Sequence, residues 1–336
     1  ERLAAAVETG SEAARARVLR YEILLDRGRR PDAFEELQGL VDQLWEEGTT
    51  HLAARAARVL AAWSDIEGAV AIGERIVDRG EAASDPRIEA LGWFQLAHRS
   101  WQGGRLAEAM GRYQQALELA RLAGLRRDEA LALQHLGSLE VWTGNPDGAE
   151  IYLQEALRLH RESGERKYEV FVAANLGRLR LARGDLDGAL PLLEASVRGG
   201  EGAPDDFLAI RHGHLGLCHL LAGRTERALR SLGRAATCAE RRADPYLLAF
   251  TSTLVALART VRGDDFTWAP PGESMDPVVR AMAVSVAAWR TERPLQEAIR
   301  DARATVGLPM DQVHPMAALL PGELVNLLDL VEGLPR

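Results

Sequence analysis

An alanine recurs along this chain at a nearly constant interval, and that regularity restricts the fold more than any other feature. Ala33, Ala69, Ala109, Ala149, Ala189 and Ala228 follow one another at spacings of 36, 40, 40, 40 and 39 residues. In five of the six repeats a glycine stands five residues ahead of the alanine, as Gly28, Gly104, Gly144, Gly184 and Gly223; Ser64 takes that place before Ala69, and Gly263 continues the series. Such a period marks an array whose repeats cannot bury their own apolar faces and therefore stack on one another. Length then carries little information on domain count, because an array grows by adding repeats.

Between Ala130 and Leu159 apolar residues return at helical spacing on both sides of the turn. Asn145 followed by Pro146 reads as an N-cap and a first helical residue. Each repeat is thus expected to be two helices joined by a tight turn, the glycine supplying the left-handed residue that ends the first helix. Ala97, Gly137, Gly177 and Gly216 fall at one position of the first helix, opposite the alanine series, so the two axes can approach closely. Ala116, Ala156 and Ala235 would face the following repeat, with Leu96, Leu136, Leu176 and Leu215 filling the layer between. The expected fold is an all-α, right-handed α-solenoid of helix-turn-helix repeats over residues 1–263, with repeats starting near 14, 50, 90, 130, 170, 209 and 249. The pattern decays beyond Gly263. Residues 264–275, with Pro270-Pro271-Gly272, read as a loop, and Asp276-Pro277 and Pro294 as starts of further helices. Pro309, Pro315 and Pro321 break the chain before an amphipathic stretch carrying Leu324, Leu327, Leu328 and Val331. Residues 264–336 are expected to form a degenerate helical carboxyl-terminal cap over the apolar face of the last repeat.

These residues resemble the tetratricopeptide repeat family from residue 14 to about 263. The family's small residue at the eighth position, its alanines at the twentieth and twenty-seventh and its aromatic or leucine at the twenty-fourth match Gly137, Ala149, Ala156 and Leu153. The repeat at Ala109 keeps Trp93, Tyr113 and Ala116 as well. Tyr21 in the first repeat, Gly73 in the second and Ser196 in the fifth depart from the pattern, and less regular packing is expected there. The 40-residue period resembles the longer repeat of bacterial signalling and transcription regulators, such as the maltose-regulator type, in which the array is a sensor following another domain. The resemblance implies ligand contacts on the concave face of the first helices. Those positions hold Arg58 in the second repeat, Leu91, Phe94, His98 and Trp101 in the third, Leu131, Gln134, Ser138 and Val141 in the fourth, and Phe171, Ala174, Arg178 and Leu181 in the fifth. Phe94, Trp101 and Phe171 would be apolar anchors, and Arg58, His98 and Arg178 would select charge. The lysine and asparagine clamp of chaperone-binding relatives is absent: Val18 with Glu22, Ala54 with Arg58, and Phe94 with His98 take those places.

Composition narrows the classes further. With 41 basic against 49 acidic residues the chain carries a net charge of -8, which makes nucleic acid a poor partner for this portion. The most apolar run, Leu247 to Val261, is interrupted by Thr251, Ser252, Thr253 and Arg259 and is too short to cross a bilayer, so no membrane partner is expected. Cys218 and Cys238 cannot form a disulfide framework and are expected as free thiols in a reducing cytoplasm. His214 and Cys218, four apart, could touch one ion, but two ligands do not make a site, and neither metal nor cofactor is expected. Only one of the basic residues, Lys167, is a lysine, a bias read as that of a GC-rich bacterial genome. The first residue is Glu1, so a regulatory domain is expected to precede it. No phosphate-binding loop, nucleophile elbow or metalloprotease helix occurs, and no enzyme is expected.

Arg227, Arg230, Arg234 and Arg241 form a basic stripe on the second helix of the sixth repeat, read as a solvated convex face, with an acidic partner as the sharper alternative. The sequence thus describes a protein- or peptide-binding scaffold, the sensor or interaction portion of a larger bacterial regulatory protein. The alternatives are a small-molecule-sensing solenoid that controls oligomerisation and a simple adaptor without ligand response.

Overall fold

The turn within each repeat reverses the chain in about three residues, and the repeat glycines make that reversal. Gly104 and Gly144 sit at φ +74° and +80°, a region costly to any residue with a Cβ, and Gly184, Gly223 and Gly263 follow them. Ser64 escapes the requirement because its turn is built differently: it is extended at φ −79°, its Oγ donates to the Leu60 carbonyl, and Asp65 caps the next helix by accepting from Gly68 N. Asn145 caps as expected, its side chain accepting from Gly148 N at 3.2 Å.

The computed structural model describes residues 2–26, 34–200, 203–269, 277–290, 300–301 and 321–333. Glu1, Gly28, Ala33, residues 270–276, Pro294, Pro309 and Pro315 lie outside them, as does the side chain of Leu324. Fifteen helices and no strands occur among the described residues: α1 (Arg2–Asp26), α2 (Phe34–Glu46), α3 (Thr50–Trp63), α4 (Ile66–Ala83), α5 (Pro86–Gln102), α6 (Leu106–Leu122), α7 (Arg126–Trp142), α8 (Pro146–Glu162), α9 (Arg166–Ala182), α10 (Leu186–Arg198), α11 (Asp205–Leu221), α12 (Thr225–Arg242), α13 (Pro245–Arg262), α14 (Pro277–Arg290) and α15 (Pro321–Glu332). None is long and apolar enough to cross a membrane. The chain divides into two compact units, Glu1–Leu139 and Glu140–Arg336, each an all-helical repeat solenoid.

In unit 1, Ala69, Ala97 and Ala109 are fully buried and Ala116 nearly so. The crossing of α4 and α5 is very close: a Cβ on Gly80 would lie 2.6 Å from Glu89 N, and one on Gly92 2.8 Å from Val77 N. Gly73 corrects an expectation. The second repeat is not loose there, because Leu96 of α5 fills the space, 2.8 Å from where a Gly73 Cβ would stand. Tyr21 is accommodated too, at 2% exposure in a core with Leu37, Leu40 and Val41.

In unit 2 the same rule holds at Gly177 and Gly216, where an added Cβ would come within 2.9 Å of Leu193 Cγ and 2.5 Å of Leu232 Cγ. Ser196 is absorbed by donating its hydroxyl to the Leu193 carbonyl at 2.8 Å. Beyond the repeats the expected cap separates into two parts. Helix α14 packs on α13, whereas α15 lies against α9, α11 and α14. Leu327, Leu328 and Val331 enter a core shared with Leu181, Leu217 and Met282, and Asn326 Nδ2 donates to the Leu181 carbonyl at 2.8 Å and to that of Ala182 at 3.3 Å. The Leu181 carbonyl also accepts from Gly184 N at 3.0 Å in the turn, so Asn326 adds a second donor to it.

Candidate functional site: the first-helix wall

The first-helix positions of unit 1 converge on an aromatic cluster. Phe94, His98 and Trp101 come from α5, Tyr113 from α6, and His135 from α7. His135 stacks on Tyr113 with centroids 4.9 Å apart and planes 2° apart, and meets Phe94 at 5.4 Å, Trp101 at 5.3 Å and His98 at 5.8 Å edge to face. Such offset and T-shaped pairs align ring edges with ring faces. Phe94, His98 and Trp101 are half-buried, each with one side packed and the other reaching solvent. Burial pushes His98 down to about 4 and His135 to about 3, with Arg99 adding to the first and His98 to the second. Both imidazoles are therefore neutral at neutral pH, so His98 belongs to the apolar part of the wall and does not act as a cation.

Polar groups flank the rings. Arg55 holds Glu22 through two hydrogen bonds, at 3.1 and 2.6 Å, and Arg58 approaches the same carboxylate at 3.5 Å. Two guanidiniums thus share one carboxylate. Burial raises the Asp128 carboxyl, opposed by Arg58, Arg127 and His51. Gln134 is 4% exposed, and its Oε1 has no hydrogen-bond partner among the described residues; the same is true of Arg58 Nε and His135 Nδ1. Ser138 is turned inward, donating to the Gln134 carbonyl at 3.0 Å. Leu91 is half-buried at the edge. The sequence did not single out His135, which follows Gln134 in an apolar stretch and reads as core, nor the Glu22 carboxylate that binds both arginines.

In unit 2, Phe171 and Arg178 are partly exposed on α9. On α12, Arg241 is bound to Asp205 by two hydrogen bonds, at 3.1 and 2.6 Å, whereas Arg227, Arg230 and Arg234 are exposed and form no ion pair among the described residues. The stripe thus offers three arginines and not four. His214 is committed to structure: its Nδ1 donates to the Ile210 carbonyl at 2.8 Å, and its Nε2 lies 3.5 Å from Glu323, both side chains fully buried. Cys218 and Cys238 are buried and unpaired, with burial pushing the Cys218 thiol up to about 11.

Residues 128–201 match the family model of the tetratricopeptide repeat. That match spans α7 to α10, the stretch holding Gly137, Ala149, Ala156 and Gly177. No curated protein matches the chain in sequence. Among solved structures, a signal transduction ATPase with numerous domains from Pyrococcus horikoshii, which carries a tetratricopeptide repeat sensor, is 16% identical with a TM-score of 0.59, over 87% of this chain and 44% of that one. The apo form of the quorum sensor NprR from B. thuringiensis is 12% identical with a TM-score of 0.53, over 89% of this chain and 92% of that one. A Rap protein complexed with competence and sporulation factor is 11% identical with a TM-score of 0.50, over 88% and 77%. At these identities the likeness establishes a tetratricopeptide-type helical solenoid and nothing finer.

Proposed function

We propose that the chain is a non-catalytic recognition scaffold that binds a protein or peptide segment along its first-helix wall, as the sensor or interaction portion of a bacterial regulatory protein. The observation that carries this reading is the ring cluster of unit 1: three half-exposed rings are held in place by two more behind them, beside buried polar atoms without partners. Rigid aromatic anchors lose little freedom on binding, and such residues dominate interface energies. A partner segment offering both N–H and C=O groups suits the unpaired atoms of Gln134, His135 and Arg58. Phe171 and Arg178 occupy the corresponding positions in unit 2. The solved neighbours described as a tetratricopeptide repeat sensor and a quorum sensor support the regulatory setting.

The experiment is a pull-down of the native partner followed by titration of variants. Trp101→Ala should weaken affinity by roughly 2 kcal/mol or more, about thirtyfold, if Trp101 is a central anchor. Arg230→Ala, on the solvated stripe, should change it by less than ~0.5 kcal/mol, with any effect shrinking in added salt. Loss of binding at Arg230 with Trp101 indifferent would move the site to α12 and favour an acidic partner.

A further inference from the structure

The first-helix wall of unit 2 changes character from one repeat to the next. On α9 it holds Phe171, Ala174, Arg178 and Leu181; the interval of 39 residues that separates Ala189 from Ala228 carries these positions to Ile210, Gly213, Leu217 and Leu220 on α11. None of the four on α11 is charged. Leu217 and Leu220 are 0% and 1% exposed, and every residue from Arg211 to Leu220 is buried. Buried on all sides, α11 has no wall face open to solvent.

The cover is α15. Its first turn reaches α11, where Glu323 Oε1 stands 3.5 Å from His214 Nε2, both side chains fully buried. Its next turn reaches the end of α9, where Asn326 Nδ2 donates to the Leu181 and Ala182 carbonyls. The helix thus spans two consecutive first helices. Leu327, Leu328 and Val331 join the core that holds Leu181, Leu217 and Leu220, while Asp329 and Glu332 are exposed. This is the arrangement of an amphipathic helix laid in a groove, apolar stripe inward. Leu181, a position expected to meet a ligand, meets α15.

Two properties make the seat one that α15 can leave. Its 12 residues are too few to hold a helix in water without packing. Glu323, a carboxyl group with no exposed surface, weighs against docking. We propose that α15 is an internal ligand of unit 2, replaced on binding by an amphipathic helix of the partner that carries aliphatic side chains at i, i+1 and i+4 and an amide side chain at i−1. This rests on partners using the first-helix wall, as proposed above, and adds that the chain closes that wall in unit 2 until such a helix displaces α15.

The test titrates the full chain with a fluorescein-labelled peptide of residues 321–333. The wild-type chain should take the peptide weakly, because its own α15 competes at high effective concentration. Leu328→Ala in the chain should tighten the peptide about thirtyfold or more, and Asn326→Ala about fivefold, the scale of the contacts that the internal helix loses. The same peptide with Leu328→Asp should bind none of these chains. A nitroxide on the peptide should broaden amide signals of α9 and α11. A native partner obtained by pull-down should displace the peptide from the Leu328→Ala chain. Failure of the chain variants to take the peptide more tightly than the wild type, binding that survives Leu328→Asp in the peptide, or broadening that spares α9 and α11 overturns the proposal. A partner that binds and leaves the peptide in place overturns it too, and the ring-wall reading then stands or falls on its own Trp101→Ala result. Should Leu328→Ala fail to fold, Asn326→Ala and the peptide variant decide.

Discussion

His135 is kept neutral by the rings around it, and that neutrality ties stability to pH. In the unfolded chain a histidine takes up its proton near 6.5; in the folded chain His98 does so near about 4 and His135 near about 3. Between pH 6.5 and 4 the unfolded state binds more protons, so stability falls as the solution is acidified through that window. The denaturant midpoint should drop by the equivalent of about 1 kcal/mol or more from pH 7 to pH 4.5, and His135→Phe should flatten the profile; a profile unaltered by that change would contradict the assignment. A steric prediction belongs to the same scale. Gly216→Val should cost about 1–3 kcal/mol through overpacking against Leu232, measured by urea denaturation. The small residue at this position was legible in the sequence because the constraint is backbone proximity, which repeats with the register. His135 was not legible, because its surroundings come from two other helices, α5 and α6, and its neighbours in sequence are those of an ordinary core position.

At the level of the helix, the regular elements were readable and the departures were not. Glycine turns, the Asn145 cap and the buried alanines all follow from local chemistry that recurs every 40 residues. Gly73 looked like a packing defect, but Leu96 from the next helix completes the layer, and a single-helix pattern cannot show that compensation. Helix α15 packs on α9, α11 and α14: the apolar stripe announces that it must be covered and leaves open by what. Its hold on α9 can be measured. Leu328→Ala should cost about 2–5 kcal/mol and Asn326→Ala about 1 kcal/mol in chemical denaturation. If both substitutions leave unit 2 as stable as before, α15 does not rest on α9.

Across the molecule, arginine does more than reflect base composition. Ion pairs recur between residues 33 or 36 apart: Arg55 and Arg58 with Glu22, Arg75 with Asp42, Arg183 with Glu150 and Asp147, Arg241 with Asp205, and Arg262 with Glu226. Arg241 and Asp205 join the two helices of the sixth repeat, the others link one repeat to the next within their unit, and the guanidinium fork allows the paired hydrogen bonds seen at Glu22 and Asp205. Most are exposed, so each contributes little and is screened by salt. Sodium chloride at 1 M should therefore lower the thermal midpoint modestly relative to 50 mM, and replacing Arg241 with Met should reduce that dependence.

Asn326 and Leu181 are separated by 145 residues, and their hydrogen bond closes the chain of unit 2 on itself. An array joined only through adjacent repeats can nucleate at any point and fray from either end. The closing contact changes that order of events. Helix α15 has no complete docking surface until α9, α11 and α14 are all in place, so it is the last element to settle and carries the loop-closure entropy of the whole segment. Once seated, it makes its own release the gate to unfolding of α9 and beyond, and amide exchange at the end of α9 should rise and fall with that of α15, as one cooperative block.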